Sequence, residues 1–289
     1  MSNNSNNSNN SNNSNNAANA GGGRMAAFLP DRVDLPFSTA PNPSASPPTL
    51  GEVVTVKPLA FAGRNWAAEF FAWVVVADFA RANTAAITLA ATVPTGQIAV
   101  DERNALVTAA QTERADAMGE ILAQDGDILD YYLGLLMVTP ASHPATWRLM
   151  NIAQLVALFA VMPIKHAIAR PRPSQRVPAL LPPIPVPGHA SFPSGHATQA
   201  HLVTLCLTDV FAAADTPGNK MIDNLTGLAL RIAYNREIAG LHYASDSAAG
   251  AELAGILHTR LNALPIPAGA TESRYVATVA AAKAEWIET

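Results

Sequence analysis

Between Pro171 and Pro193 the chain reads PRPSQRVPALLPPIPVPGHASFP, with eight prolines in 23 residues. Proline fixes φ and has no backbone N–H, so this segment is expected to be neither helix nor central strand. Apolar runs at helical spacing flank it on both sides. The chain must then fold as helices interrupted by one long loop. Long loops in compact domains are functional or disordered. Unusual residues at both ends of this one favour a functional loop.

Elsewhere helical patterning dominates and period-2 strands are scarce. WAAEFFAWVVVADFARAN (66–83) is apolar and free of breakers. Helices are also expected over 103–124, 127–138, 144–169, 195–214, 219–242, 245–264 and 271–287, with Pro163 able to kink the one over 144–169. The fold class predicted is all-α, a helical bundle. The start, MSNNSNNSNNSNNSNN, is a three-residue repeat that can bury nothing. Residues 1–24 are therefore read as a disordered low-complexity tail, 25–60 as an extended wrapping segment, and 61–289 as a single α-helical domain.

The tail has no basic start and no apolar stretch, so it does not read as a signal peptide. The most apolar stretch, LMNIAQLVALFAVMPI (149–164), is bounded by Arg148 and Lys165. It falls short of the about 20 apolar residues a membrane span needs. It reads as a buried helix, and the expectation is a soluble, cytoplasmic protein without a transmembrane anchor. The lone Cys206 lies inside an apolar run and reads as a buried thiol. A net charge of −4 argues against general nucleic-acid binding.

Charge is nonetheless unevenly placed. No Asp or Glu stands between Asp130 and Asp209, whereas Arg148, Lys165, Arg170, Arg172 and Arg176 do. This describes either a local anion site or a solvated basic loop.

Three patches within 165–246 carry candidate chemistry. In KHAIARPRP, Lys165 and Arg172 combine a compact charge with a planar fork, which suits a tetrahedral oxyanion. Pro171 predicts that the helix stops near Arg170, with Arg172 just past its end. The same residues could be plain cations at a helix terminus. In SFPSGHATQAH, Ser194 and the Gly195 amide would sit at the positive end of a helix beside His196, as an anion cradle or as an ordinary serine cap. In NREIAGLHYASD, His242 and Asp246 stand four apart. A carboxylate there can hold one ring nitrogen and free the other for attack, or merely make a helical ion pair.

Taken in order, Lys-x6-Arg-Pro, Pro-Ser-Gly-His and Arg-x5-His-x3-Asp resemble the superfamily that joins type-2 phosphatidic acid phosphatases, bacterial class A acid phosphatases and vanadium haloperoxidases. The resemblance, to a soluble bacterial-type member, implies a helical bundle with a proline-rich active-site loop. It implies that Lys165, Arg172 and Arg236 neutralise a phosphate, with hydrogen bonds from Ser194 and Gly195. His242 would attack phosphorus to form a phosphohistidine, Asp246 would orient it, and His196 would serve as acid and then base. No divalent cation is needed. A metal held by His196, His242 and Asp246 would meet three cationic side chains nearby. The third patch begins Asn235-Arg236 where the family has Ser-Arg, which bears on a supporting contact.

The resemblance leaves two activities open. One is a metal-independent, acid-phosphatase-like phosphomonoester hydrolase with no cofactor, acting on a small-molecule phosphate ester. The Lys-x6-Arg-Pro spacing and the chain length point that way. The other is a haloperoxidase with vanadate on His242, acting on halide and peroxide. The wording PSGHATQ and the position of His189 point to that. A non-catalytic oxyanion-binding protein is a third, weaker alternative. The substrate's identity and homo-oligomerisation are left open.

Overall fold

The computed structural model describes residues 61, 63, 66–212 and 220–286. The chain divides into two compact units, and the helices named below belong to the one from Ala67 onward. The expectations for 1–24 and 25–60 lie outside the described residues.

The described residues of this unit are helical and loop only, without a strand. In chain order the helices are α1 (Ala68–Ala82), α2 (Gly96–Thr112), α3 (Arg114–Gly126), α4 (Leu129–Leu136), α5 (Pro144–Ile168), a single turn α6 (Pro173–Arg176), α7 (Gly195–Phe211), α8 (Met221–Ile238), α9 (Ala244–Asn262) and α10 (Arg274–Ala284). The all-α bundle read from the sequence is the fold.

Helix α7 is the axis of the bundle, packed against α5, α8 and α9. Its apolar positions Leu202, Val203, Cys206 and Leu207 are fully buried, together with Leu149, Ile152 and Val156 of α5 and Leu253 and Leu257 of α9. Removing this much apolar surface from water, at roughly 25 cal/mol per Å², is the main term holding such a bundle together. Polar tethers fix the register. The Tyr132 hydroxyl of α4 donates to the carbonyl of Ala200 at 2.8 Å. The Glu285 carboxylate, just past α10, accepts from the amides of Ala145 and Thr146 at 2.6 and 2.8 Å and caps α5.

Four expectations are corrected. The single helix expected over 103–124 is two, broken at Glu113, whose φ of −123° leaves the helical region. Neither Gly nor Pro marks the break. Tertiary packing makes it, because the guanidinium of Arg114 donates to the carbonyls of Ile238 and Leu180. The proline segment is not wholly non-helical: Pro173 and Pro178 each open a short helical turn, since a first-turn proline lacks only an amide that has no partner in the helix anyway.

The third correction concerns α5. The stretch Pro144–Arg176 is long and apolar enough to cross a membrane, with a mean hydropathy of 1.7 over its best window. Half of that window is buried within the protein. Pro163 does not end α5, which runs on to Ile168. The fourth concerns His242 and Asp246, which do not sit one turn apart on a helix. His242 precedes α9, and Asp246 lies in its first turn.

Candidate active site

Three structural breaks bring the separated patches together. Helix α5 ends where Ala169 takes a left-handed conformation, φ 50°, its N–H still reaching the carbonyl of Lys165. The chain turns, so Arg172 leaves the helix axis and comes back beside Lys165. Helix α7 begins at Ser194, whose amide donates to the carbonyl of Asp246 at 2.9 Å. That bond joins the start of α7 to the start of α9. Gly250 allows the approach: a Cβ there would lie 2.8 Å from the Ser194 carbonyl oxygen and 2.9 Å from the Ala197 Cβ.

A cavity of about 100 Å³ opens between these elements. Its polar lining is Asp125, Lys165, Arg172, His189, Gly195, His196, Gln199 and His242, and Leu158, Val161, Met162 and Leu241 form an apolar wall. The Lys165 ammonium donates to the carbonyls of Ala190 and Ser191, each at 2.9 Å. Burial, and then the neighbouring Arg172, lower its pKa to about 7, against the pull of Asp246. Arg172 spans the site. Its Nε donates to the His189 carbonyl at 3.0 Å, and its Nη1 donates to the Leu241 carbonyl at 2.9 Å and to His242 Nε2 at 3.2 Å. Its Nη2 donates to His189 Nδ1 at 3.1 Å.

These contacts fix the state of His242. A guanidinium can only donate, so His242 Nε2 is an acceptor and carries a lone pair. The proton is then on Nδ1, which donates to Asp246 Oδ2 at 3.2 Å. Burial, and then Arg172, push the imidazole pKa well below its usual value, so the ring is neutral. Asp246 is fully buried. Burial alone would raise its pKa, but the bonds from His242 and the charge of Arg170 outweigh it and hold the carboxyl at about 2. Its Oδ2 also accepts from the Tyr243 amide at 3.0 Å and from the Ser191 hydroxyl.

His196 lines the same cavity, with Nε2 3.2 Å from the Gln124 carbonyl. A carbonyl can only accept, so Nε2 carries the proton, and Nδ1 has no hydrogen bond among the described residues. Burial, and then Arg236, bring its pKa down to about 3. Burial and Lys165 lower His189 to about 4. The Arg236 side chain is fully buried and is not part of the cavity lining, which its ion-pair partner Asp125 belongs to. Its Nη2 donates to the Ile121 carbonyl at 2.7 Å, and its Nη1 lies 3.8 Å from Asp125. Its Nε and Nη1 make no hydrogen bond among the described residues. A buried guanidinium whose Nε and Nη1 lack a hydrogen-bond partner is suited to bind an anion, which would satisfy both nitrogens.

Residues 146–265 match the PAP2 superfamily. This relationship covers part of the chain and takes in Lys165, Arg172, Ser194, Gly195, His196, Arg236, His242 and Asp246. No curated protein matches the chain. Among solved structures, the first transmembrane PAP2 type phosphatidylglycerolphosphate phosphatase from Bacillus subtilis is similar at 16% identity, with a TM-score of 0.45, over 68% of this chain and 96% of that one.

The structure gathers Lys165, Arg172, Gly195, His196 and His242 on the cavity, with His189 beside them. Ser194 is placed differently from the cradle reading. Its Oγ accepts from the Ala197 amide at 3.3 Å, so it caps α7 and does not line the cavity. Asn235 ties α8 to α3, its Nδ2 donating to Glu120 at 2.9 Å and to Gln124 at 3.0 Å. It thereby steadies the residue whose carbonyl faces His196. Sequence reasoning missed Ser191, Glu102, Gln124, Asp125 and the role of Arg170. Ser191 stands three residues before the Ser194 cap and was visible as a polar residue there. Glu102, Gln124 and Asp125 come from α2 and α3, outside the matched segment, where no motif marks them. Among the described residues no group of three or more His, Cys, Asp or Glu could hold a metal ion.

Proposed function

We propose that this protein hydrolyses phosphomonoesters through a phosphohistidine on His242. The observation that carries the reading is the fixed tautomer of that ring. Asp246 accepts the hydrogen bond of Nδ1–H, and the Nε2 lone pair stands at the cavity beside Arg172. Once a phosphate oxygen takes over the Arg172 bond, this oriented lone pair on a neutral imidazole is the nucleophile.

Arg172, Lys165 and the uncommitted N–H groups of Arg236 would bind the three non-bridging oxygens, with the Gly195 backbone at the cavity wall. Phosphoryl transfer asks mainly for such positioning and charge neutralisation. His242 Nε2 forms the N–P bond as the ester P–O bond breaks. His196 gives a proton to the departing oxygen. In the free protein His196 is neutral, because burial and the surrounding cations disfavour its charge. A bound phosphate dianion offsets those cations and lets the ring take up the proton it then donates. In the second step water attacks phosphorus, His196 accepts its proton, and the N–P bond breaks to release phosphate.

A second reading, vanadate-dependent oxidation of halide by peroxide, is favoured by His189, which lines the cavity with its Nδ1 on Arg172. The residues fit vanadate. The free N–H groups of Arg236 and the cations of Lys165 and Arg172 would hold its oxygens, and His242 Nε2 would bind it. Bound there, vanadate would activate peroxide toward halide.

One pair of assays decides. The first follows an aryl phosphate with chelator present and no vanadate. The second follows bromide oxidation with vanadate and peroxide. Hydrolysis that is lost in His242→Ala and inhibited by vanadate supports the proposal. Halide oxidation alone, reduced in His189→Ala, replaces it with the second reading. Phosphate binding with neither activity leaves an oxyanion-binding protein.

A further inference from the structure

The matched segment ends its polar network on a residue outside it. Arg170 lies in the interval between Lys165 and Arg172, and its side chain is 7% exposed. One arm, Nη1, donates to Asp246 Oδ1 at 2.6 Å and to the Ser245 hydroxyl at 2.7 Å. The other, Nη2, donates to Glu102 Oε2 at 2.8 Å. The guanidinium carbon lies over the Tyr243 ring, 3.8 Å from its centroid. Glu102, on α2, uses its second oxygen to accept from the Ser245 amide at 2.7 Å, in the first turn of α9.

The two ends of Asp246 are thus held by different groups. Oδ2 faces His242, Ser191 and the Tyr243 amide, whereas Oδ1 has Arg170. We infer that Glu102 and Arg170 are positioning residues for His242: through Asp246 they reinforce, on the Nδ1 side, the tautomer that the Arg172 bond favours on the Nε2 side, and α2 is part of the site although it lies outside residues 146–265. This inference rests on the phosphohistidine reading for its kinetic part only.

Charge count gives the reason. A fully buried carboxylate keeps its charge only while it is paired. Lys165 and Arg172 lie near it but spend their hydrogen bonds on Ala190, Ser191, His189, Leu241 and His242. Arg236 bonds the Ile121 carbonyl and His196 the Gln124 carbonyl, neither of them Asp246, and burial keeps His189 neutral. Arg170 is the cation bonded to Asp246. Without it the carboxyl takes up a proton more readily, and a neutral carboxyl no longer holds the proton on Nδ1 as firmly. Glu102 aims the fork, since a guanidinium with one arm freed can turn about Nε.

The test uses Glu102→Gln, Arg170→Met and the double variant of the full chain. Nitrogen-15 NMR of the His242 ring at pH 7 reads the tautomer without any substrate. Aryl phosphate kinetics read kcat and KM separately. We expect wild type to be wholly the Nδ1–H form, Arg170→Met to be a mixture, and Glu102→Gln to lie between. We expect kcat to fall by about 100-fold and about tenfold respectively with KM within about threefold, the range seen when groups that orient a primary ligand are lost. The double variant should be no worse than Arg170→Met, because Glu102 acts through Arg170. An unchanged tautomer in a folded Glu102→Gln overturns the inference, as does additive loss in the double variant. If Arg170→Met does not fold, Glu102→Gln decides alone. If wild type hydrolyses no phosphate ester, the proposed function fails but the tautomer still decides the positioning role.

Discussion

Gly250→Ala isolates the contact that brings α7 and α9 together. In the helix interior this change normally stabilises by about 1 kcal/mol, because Gly is the poorer helix former. Here the new Cβ would lie 2.8 Å from the Ser194 carbonyl oxygen, 2.9 Å from the Ala197 Cβ and 3.1 Å from the Thr198 amide. All three belong to the first turn of α7, and two are backbone, so no side-chain rotation relieves them. Ordinary contact begins near 3.4 Å, so the helices must part by about 0.6 Å. The Ser194 amide to Asp246 carbonyl bond, 2.9 Å, would stretch to the limit of a hydrogen bond. Overpacking of this kind costs about 1–3 kcal/mol, which exceeds or cancels the helical gain. The same shift moves Gly195 and His196 away from His242. A displacement of about half an ångström at reacting groups should cost about tenfold in kcat, given that 1 Å can cost about a hundredfold. Gly255→Ala on the same helix is the control, since nothing lies within 4 Å of its Cβ. It should gain about 1 kcal/mol and keep full activity. Denaturant unfolding and aryl phosphate turnover measure both. Gly250→Ala as stable and as active as Gly255→Ala would refute the close-approach argument.

Asp246→Asn removes the charge that holds Nδ1–H and should lower kcat by about 10³- to 10⁴-fold, as loss of the orienting carboxylate does in other histidine dyads, with KM little changed; steady-state kinetics check it. Lys165 has a pKa of about 7, below its unfolded value, because of burial and Arg172. It is therefore charged below pH 7 and neutral above, so kcat/KM should fall as pH rises through about 7, and Lys165→Arg should abolish that limb. The sign for stability is opposite: the unfolded chain binds the extra proton between about 7 and 10.5, so this group favours the folded state more as pH rises through that window. Asn235→Ser is too short to reach Glu120 and Gln124 and should cost about 1–2 kcal/mol in denaturant unfolding.

Much of the bundle was legible because apolar runs in this chain are long and their ends carry prolines or a serine cap. Breaks made by tertiary contacts were not. Nothing local marks Glu113, and Met137, Ala169 and Leu181 adopt positive φ without being glycine. The cap of α5 comes from Glu285, about 140 residues away in sequence. The site divides in the same manner. Lys165, Arg172, His196 and His242 were readable because each patch keeps its own spacing, and a proline-dense loop had to bring the patches together. Ser194 was readable as a serine at a helix start, but its motif does not tell that its oxygen is spent on the Ala197 amide. Arg170 was visible as one cation among five. Its service to Asp246 depends on partners at Glu102 and Ser245 that no local pattern links.

The proposed mechanism stands on His242 Nε2 as the atom that takes the phosphoryl group. The most direct measurement mixes the protein with a labelled aryl phosphate, quenches in alkali where phosphohistidine survives, and maps the label by mass spectrometry. Label is expected on the peptide containing His242 within the first turnover, and none in His242→Ala. Hydrolysis at full rate with no label on that peptide, or with label on another side chain, would contradict it.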